Sequence, residues 1–163
     1  MQLARLVTIG LYGYDEKSFF ASLASASVDT LCDVRRRRGV RGSTYSFANS
    51  TRLQQRLREL GIGYVHFREL APTDPVRQLQ HRADQRTGVS KRQRQRLSDA
   101  FVLAYTETCL AHLNIDAFLY QLGPDCRVPA LFCVEGNPEA CHRKILAEHL
   151  ARLLGVEVQH LRP

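Results

Sequence analysis

The sequence predicts an α/β fold, a mainly parallel open sheet of about five strands with helices on both faces. Two observations lead to this prediction. Short apolar or β-branched runs alternate along the chain with segments of helical periodicity. Most of these runs lack the polar alternation of a half-exposed strand, as is typical of parallel strands that are covered on both faces. The 163 residues contain no internal repeat, and a single domain is expected over residues 1–163.

Strands and helices alternate from the first residues onward. The first strand leads to Asp15, which is placed to cap a helix, and a second helix repeats leucine at helical spacing and ends before Gly61. The predicted strands cover residues 6–10, 28–34, 62–67, 129–134 and 156–161, and the helices cover 16–26, 50–60, 97–108, 115–122 and 141–154. Residues 68–96 are polar and basic, and a helix with a basic loop is expected there.

The composition favours an anionic partner. The formal net charge is +7, and arginine supplies nearly all of the positive charge because only Lys17, Lys91 and Lys144 are lysines. Arginine binds phosphate through paired hydrogen bonds, so a phosphate-bearing ligand or nucleic acid is the expected partner. A generally basic surface is the alternative.

The location is expected to be cytoplasmic, without a membrane partner. The five cysteines show no disulfide-type spacing, and no apolar stretch is long enough to cross a bilayer. The sequence identifies neither a cofactor nor an oligomeric state.

Titratable side chains follow two of the predicted strands directly at their carboxyl ends. Parallel strands end at the same edge of a sheet, and open α/β folds bind their ligands in the crevice at that edge. We therefore expect a site where strands 28–34 and 129–134 end. The candidate catalytic residues are Cys141, Glu135 and Asp33, and the candidate ligand-binding residues are Arg35, Arg143, His142 and Tyr45.

Cys141 begins the last predicted helix, where the helix dipole and Arg143 favour a thiolate. It is the candidate nucleophile or redox thiol, with Asp33 or Glu135 as the acid, base or metal-binding group. The alternative is that Cys141 packs as a small apolar residue. His142 is expected to point about a quarter-turn away on the helix, so it is a poor candidate for the base of Cys141.

Arg143 lies in a first helical turn, where the helix dipole disfavours a cation. We expect it to meet either a bound anion or a carboxylate, and Asp33 and Glu135 are the candidates.

A metal site is a further alternative. The available zinc ligands are Cys126, Cys133, Cys141 and His142. Their spacing speaks against a zinc site because no C-x-x-C pair is present. Asp33 with Glu135 would suit magnesium beside a phosphate, but the two carboxylates would equally neutralise nearby arginines. No metal ligand is assigned from the sequence.

Two arginine-rich segments are candidate phosphate contacts. The loop Arg35–Phe47 begins with four consecutive arginines, and Tyr45 within it is placed to stack on a base. A solvated loop is the alternative. The block Arg92–Arg96 is expected to be a solvated face.

Motifs recur in order along nearly the whole chain. They are Thr8-Ile9-Gly10, Asp33-Val34-Arg35, Gly61-Ile62 with Tyr64 and His66, Glu69–Thr73 with Arg77, and Cys133-x-Glu135 with Pro138 and Cys141-His142-Arg143. In these motifs the chain resembles domain-of-unknown-function family 488, a set of uncharacterised bacterial and archaeal proteins. Many members have His-Ser where this chain has Leu11-Tyr12, and Arg36–Arg38 is more basic than the corresponding loop of many members.

The resemblance implies a compact α/β domain and no particular substrate. It marks as motif positions Asp33, Arg35, Glu135, Cys141, His142 and Arg143. The leading hypothesis is a protein that binds a phosphate-bearing ligand, a nucleotide or nucleic acid, in the crevice at the carboxyl ends of its strands, with or without enzymatic activity. The alternative is a non-catalytic nucleic-acid-binding or adaptor module that uses the loop Arg35–Phe47 and the block Arg82–Arg96.

Overall fold

In residues 2–163, which the computed structural model describes, five short strands alternate with six α-helices. The strands are β1 Leu6–Ile9, β2 Thr30–Asp33, β3 Gly63–His66, β4 Pro129–Phe132 and β5 Val158–Leu161. The helices are α1 Glu16–Ser25, α2 Ser50–Glu59, α3 Asp74–Thr87, α4 Asp99–Thr108, α5 Ile115–Leu122 and α6 His142–Leu154. Short 3₁₀ turns lie at Ser46–Ala48, Arg68–Leu70, Leu110–His112 and Pro138–Ala140.

The strands form one sheet in the order β3-β2-β4-β1-β5, and every neighbouring pair in it is parallel. Asp33, the last residue of β2, is paired with Phe132 of β4 and with His66 of β3. The carboxyl ends of the three strands are therefore level. The α/β class and the parallel sheet predicted from the sequence are confirmed.

The connections after β2 and β4 diverge. From β2 the chain turns through α2 to β3 at one edge of the sheet, whereas from β4 it turns through α6 to β5 at the other edge. The two helices also lie on opposite faces, because α2 packs into one apolar cluster and α6 into the other. Such a switch point leaves a crevice between two adjacent strands and is the usual ligand site of open α/β sheets.

Each face of the sheet has its own apolar core. Alternate residues of β1 point to opposite faces, so that Leu6 packs with helices α3 to α6 while Val7 and Ile9 pack with α1 and α2. The central strands β2 and β4 are buried at every position. Burying each large apolar side chain contributes roughly 1.5–3 kcal/mol, which explains why these strands read as continuous apolar runs.

The observed ends of the elements follow local chemistry. Asp15 caps α1 as predicted, since its carboxylate accepts from the Ser18 amide at 2.7 Å. Asn49 precedes α2, but its side chain accepts from the Val40 amide at 2.6 Å and thereby fastens the arginine-rich loop to the helix. The helix and loop expected within residues 68–96 are present as α3 and residues 88–98.

Within residues 2–163, no helix combines the length and the apolarity needed to cross a membrane.

Candidate functional site

A cleft of about 900 Å³ opens at the carboxyl ends of β2 and β4, at the switch point of the sheet. One wall is the loop that follows β2, residues 35–41, and the opposite wall is α3 with the loop after it. The floor carries Cys133, Glu135, Cys141 and His142, which follow β4 and begin α6. The predicted crevice is therefore present at the predicted edge.

Cationic side chains outnumber carboxylates in the lining of the cleft. The lining includes Arg35, Arg36, Arg37, Arg41, Arg77, Lys91, Arg92 and Arg94, against the carboxylates of Asp74, Asp84 and Glu135. All three carboxylates have cationic partners within the cleft. Among residues 2–163, no carboxylate lies within ion-pair distance of Arg37, Arg41 or Arg92. These three exposed arginines leave the cleft with a surplus of positive charge.

Arg35 and Asp33 form a buried ion pair. The guanidinium donates to both carboxylate oxygens, at 2.9 and 2.7 Å, and also to the carbonyl of Ala48 at 2.9 Å. Tyr64 donates a further hydrogen bond of 2.7 Å to Asp33. Asp33 is completely buried and both of its oxygens are occupied. It lies beneath the cleft and supports Arg35, rather than facing a ligand.

Arg143 is also completely buried, but it has a different kind of partner. Its guanidinium donates to the backbone carbonyls of Glu135 and Gly136, the latter at 3.0 Å. The expectation that a carboxylate of Asp33 or Glu135 meets it was wrong. The side chain is not part of the cleft lining, and its hydrogen bonds hold the Glu135-Gly136 turn in place.

The turn that Arg143 holds is also in close contact with the segment after β1. Tyr12 and Leu11 donate backbone hydrogen bonds to the carbonyl of Val134 at 2.9 and 3.1 Å. A Cβ atom added at Gly10 would overlap the carbonyl of Glu135, so only glycine fits there. The floor of the cleft is consequently fixed from two sides.

Cys133, Cys141 and His142 converge on the floor. The Nδ1 atom of His142 lies 3.8 Å from the sulfur of Cys141 and 4.0 Å from the sulfur of Cys133. The expectation that His142 points away from Cys141 was wrong, because Cys141 precedes the helix with an extended backbone, φ −136° and ψ 142°. The imidazole can therefore turn back toward the sulfur of its neighbour.

The two thiols of this cluster differ in acidity. Burial alone would raise the pKa of Cys141, but the hydrogen bond from Cys133 and the charges of Arg143 and His142 outweigh it and hold that pKa well below its ordinary value. The pKa of Cys133 is raised well above its ordinary value, because its thiol donates to Cys141 and is buried. Of the two thiols, Cys141 is therefore the one whose surroundings favour the thiolate form.

Glu135 bridges the floor and the basic wall. One carboxylate oxygen lies 3.1 Å from Arg94 and 3.4 Å from Lys91, while the other lies 3.5 Å from the sulfur of Cys133. Burial and the charge of Cys141 raise the pKa of Glu135. Since Glu135 and Cys141 both reach the cleft, these two of the three candidate catalytic residues are placed together.

Arg94 was missed as a site residue. The block Arg92–Arg96 was expected to be a solvated face, but the Arg94 side chain is only 9% exposed and is bonded to Asp84 at 2.8 Å as well as to Glu135. It also donates to the carbonyl of Ala140 at 3.1 Å. These partners are distant in the sequence, and no local pattern signals them.

Two other residues named from the sequence lie outside the cleft. Tyr45 packs beside Tyr12, with ring centroids 5.3 Å apart, and its hydroxyl accepts from the Gly13 amide at 3.1 Å. Cys126 precedes β4, so it lies at the amino ends of the strands and away from the cleft. Its thiol donates to Asp29 at 3.2 Å. The Cys3His set is therefore not assembled, although three of its four members are.

Comparisons with known proteins identify a family but no function. The family model described as "Domain of unknown function DUF488" matches residues 15–150. No curated protein shows a significant match, and neither does any solved structure.

Proposed function

The chain belongs to the family described as Domain of unknown function DUF488, and we propose that it binds a phosphate-bearing ligand, a nucleotide or a nucleic-acid segment, in the cleft at the carboxyl ends of β2 and β4. The observation that carries this proposal is the surplus of cations along the cleft. Every carboxylate in the lining is already paired, while Arg37, Arg41 and Arg92 are exposed and have no acidic partner among residues 2–163.

The arrangement of these arginines suits a polyanion. They lie on both walls, since Arg37 and Arg41 follow β2 whereas Arg92 belongs to the loop after α3. Arg92 lies over the ring of Tyr12, 4.8 Å from its centroid, in a cation–π contact. A guanidinium positioned by such a contact loses less entropy when it binds phosphate.

The buried arginines would act indirectly. Arg35 is held by Asp33 and Ala48, and Arg143 is held by the carbonyls of the Glu135-Gly136 turn. We assign them to positioning of the wall and the floor, and we assign the ligand contacts to the exposed arginines. If the protein catalyses a reaction, Cys141 and Glu135 are the groups at the floor that can take part.

We also propose a cytoplasmic location. The five cysteines are all free and buried, which is the state maintained in a reducing compartment.

The proposal is tested by titrating a labelled single-stranded oligonucleotide and a labelled mononucleotide at several salt concentrations. The double variant Arg37→Gln/Arg41→Gln is expected to weaken binding at least tenfold for the preferred ligand, because each charge-assisted hydrogen bond is worth about 1.5 kcal/mol or more. For the oligonucleotide, the slope of log affinity against log salt should become shallower by about 0.7 for each phosphate that the variant no longer neutralises.

The matched control removes two positive charges from the opposite end of the strands, away from the cleft. Arg58 and Arg152 are exposed and lie in the last turns of α2 and α6, where the strands begin. The variant Arg58→Gln/Arg152→Gln should bind like the unmodified protein. Equal weakening in both double variants would mean that only the overall charge matters, and the cleft proposal would then be rejected.

The alternative is a non-catalytic nucleic-acid-binding module that uses its arginine-rich loops. The variant Cys141→Ser distinguishes the two proposals. A non-catalytic module should bind the oligonucleotide equally well with and without this substitution. A protein that uses the floor of the cleft in a reaction should lose turnover in Cys141→Ser while it still binds the ligand.

A further inference from the structure

We propose that the floor of the cleft is a binding site for a zinc-type divalent ion, held by the sulfur atoms of Cys133 and Cys141 and by Nδ1 of His142, with its fourth position open to the cleft. This inference is independent of the phosphate proposal, since it rests on three donor atoms and not on the arginines. Sequence spacing disfavours such a site because the ligands form no C-x-x-C pair.

The donor atoms are already at nearly the required separations. The three ligand atoms all lie within 4.8 Å of one another. With zinc–sulfur bonds of about 2.3 Å and zinc–nitrogen bonds of about 2.0 Å, a tetrahedral ion needs its sulfur and nitrogen ligands about 3.5 Å apart. The observed distances from His142 Nδ1 are 3.8 Å to Cys141 and 4.0 Å to Cys133. The two sulfur atoms lie within 4.8 Å of each other, and a tetrahedral ion needs them about 3.8 Å apart, so shifts of at most about 1 Å would close the site.

The imidazole presents the atom that a metal requires. Nε2 of His142 lies 3.1 Å from the carbonyl oxygen of Val34. Because a carbonyl can only accept a hydrogen bond, Nε2 carries a proton, and Nδ1, which faces the two sulfur atoms, is the nitrogen that would bind a metal ion once it carries no proton. A histidine ligand whose other nitrogen donates to a carbonyl is the usual arrangement in zinc sites.

The three ligands are held by rigid parts of the fold. Cys133 directly follows β4, Cys141 is the residue that precedes α6, and His142 is the first residue of that helix. The ring of Tyr105 contacts that of His142 edge-on, at 5.5 Å between centroids. All three side chains are at least nine-tenths buried, and all three line the cleft. The site is therefore buried but can be reached from the cleft.

The charges at the floor also suit a divalent ion. A divalent ion would displace the proton of Cys133 to solvent, and the two resulting thiolates would neutralise the ion. The negative charge of Glu135 is matched by Arg94 and Lys91. One oxygen of Glu135 faces the sulfur of Cys133 at 3.5 Å, so the carboxylate lies beside the metal position. Three protein ligands and an open position are typical of catalytic rather than structural zinc sites.

The open position gives the site a chemical use. If a phosphate-bearing ligand occupies the cleft, as proposed above, one of its oxygens or a water molecule could take the fourth position. A zinc ion at that point polarises a phosphoryl oxygen or lowers the pKa of its water. This last step depends on the proposed function, whereas the metal site itself does not.

The metal site is tested by titrating the reduced, chelator-treated protein with Co²⁺ and then with Zn²⁺. One Co²⁺ per chain is expected, with the near-ultraviolet thiolate-to-cobalt absorption that only sulfur ligands produce, and Zn²⁺ should abolish that absorption by displacement. Cys133→Ser, Cys141→Ser and His142→Gln should each weaken binding by at least tenfold. The absorption should persist in His142→Gln at high Co²⁺ and vanish in the double cysteine variant.

Matched controls separate the ligands from cysteine content and from the arginines. Cys109→Ser and Cys126→Ser remove buried thiols outside the cluster and should bind Co²⁺ like the unmodified protein. Arg37→Gln/Arg41→Gln should also leave the cobalt spectrum unchanged, even if it abolishes binding of the oligonucleotide. If the protein binds neither nucleotide nor oligonucleotide, the cobalt absorption can still be observed. If no cobalt absorption is seen, phosphate binding in the cleft can still be measured.

The proposal is overturned if the reduced, unmodified protein gives no thiolate-to-cobalt absorption. It is also overturned if the absorption survives in the double variant Cys133→Ser/Cys141→Ser, since the sulfur ligands would then lie elsewhere. The test on the unmodified protein does not depend on whether any variant folds.

Discussion

At the scale of single residues, two buried arginines show how the same side chain is neutralised in different ways. Arg35 is paired with the carboxylate of Asp33, whereas Arg143 is bonded to two backbone carbonyls and has no carboxylate within 4.0 Å among residues 2–163. The charge of Arg143 in turn helps to lower the pKa of the nearby Cys141 thiol. Arg143 therefore couples the turn after β4 to the thiol at the floor.

Replacing Arg143 by lysine tests this role. One ammonium cannot reproduce the fork that meets the carbonyls of Glu135 and Gly136, and a buried carbonyl is left unpaired. We expect Arg143→Lys to lower the free energy of unfolding by about 2–4 kcal/mol in urea titrations. Arg152→Lys, at the exposed end of the same helix, should change it by less than about 0.5 kcal/mol. Equal stabilities of the two variants would contradict the positioning role.

At the scale of elements, α4 is fastened to the turn after β3 by one tyrosine. Tyr105 is completely buried, and its hydroxyl donates to the carbonyl of Leu70 at 2.7 Å. Burial raises the pKa of Tyr105 well above its ordinary value, so the hydroxyl stays protonated and keeps donating. The same ring contacts His142, and the packing of α4 therefore reaches the floor of the cleft.

Tyr105→Phe should lower the free energy of unfolding by about 1–3 kcal/mol, because the ring still fits while the buried carbonyl of Leu70 loses its donor. Thermal unfolding followed by circular dichroism measures the effect. Tyr120→Phe on α5 is the control, since that side chain is 88% exposed and its hydroxyl is free to bond with water. A Tyr105→Phe variant as stable as this control would show that the hydrogen bond contributes nothing.

At the scale of the whole molecule, Asp29 joins the beginnings of the two central strands. Its carboxylate accepts from the backbone amides of Arg127 at 2.7 Å and of Val128 at 2.8 Å, just before β4 begins. Burial alone would raise the pKa of Asp29, but the hydrogen bonds from Val128 and Arg127 outweigh it and lower that pKa. One ionised carboxylate thus holds the start of β2 next to the start of β4.

This link predicts how the stability depends on pH. A carboxylate with a lowered pKa in the folded state stabilises the protein above its unfolded pKa of about 3.9, and the stabilisation is lost as the pH falls through the folded value. At neutral pH, Asp29→Asn should be less stable by about 1–3 kcal/mol. The difference should shrink at pH values below about 4.

The control for this measurement is Asp125→Asn, which removes an exposed carboxylate from the loop before β4. Urea titrations between pH 7 and pH 3 should give the same pH dependence for that variant as for the unmodified protein. A constant gap between Asp29→Asn and the unmodified protein over this range would contradict the role of the ionised carboxylate.

The sequence predicted most of the fold and the edge at which the site lies. Period-3.6 and apolar patterns located five of the six helices and the five strands of the described residues, mostly to within two residues, since these patterns report burial directly. The sixth helix, α3, was expected within residues 68–96 without bounds. Parallel pairing then placed Arg35, Glu135 and Cys141 at one edge. The sequence did not predict the partners of Arg143, the buried bonds of Arg94 or the approach of His142 to Cys141, because these contacts depend on loop geometry.

The sequence by itself determined the α/β class, the alternation of strands and helices, and a carboxyl edge rich in arginine and thiols, because periodicity and chain direction are local properties. Only the tertiary structure decided which charges remain free. Asp33 and Arg35 neutralise each other, whereas Arg37, Arg41 and Arg92 do not find acidic partners within residues 2–163. It also decided that Cys133, Cys141 and His142 meet, since the turn after β4 and the start of α6 bring together atoms that the sequence spaces apart.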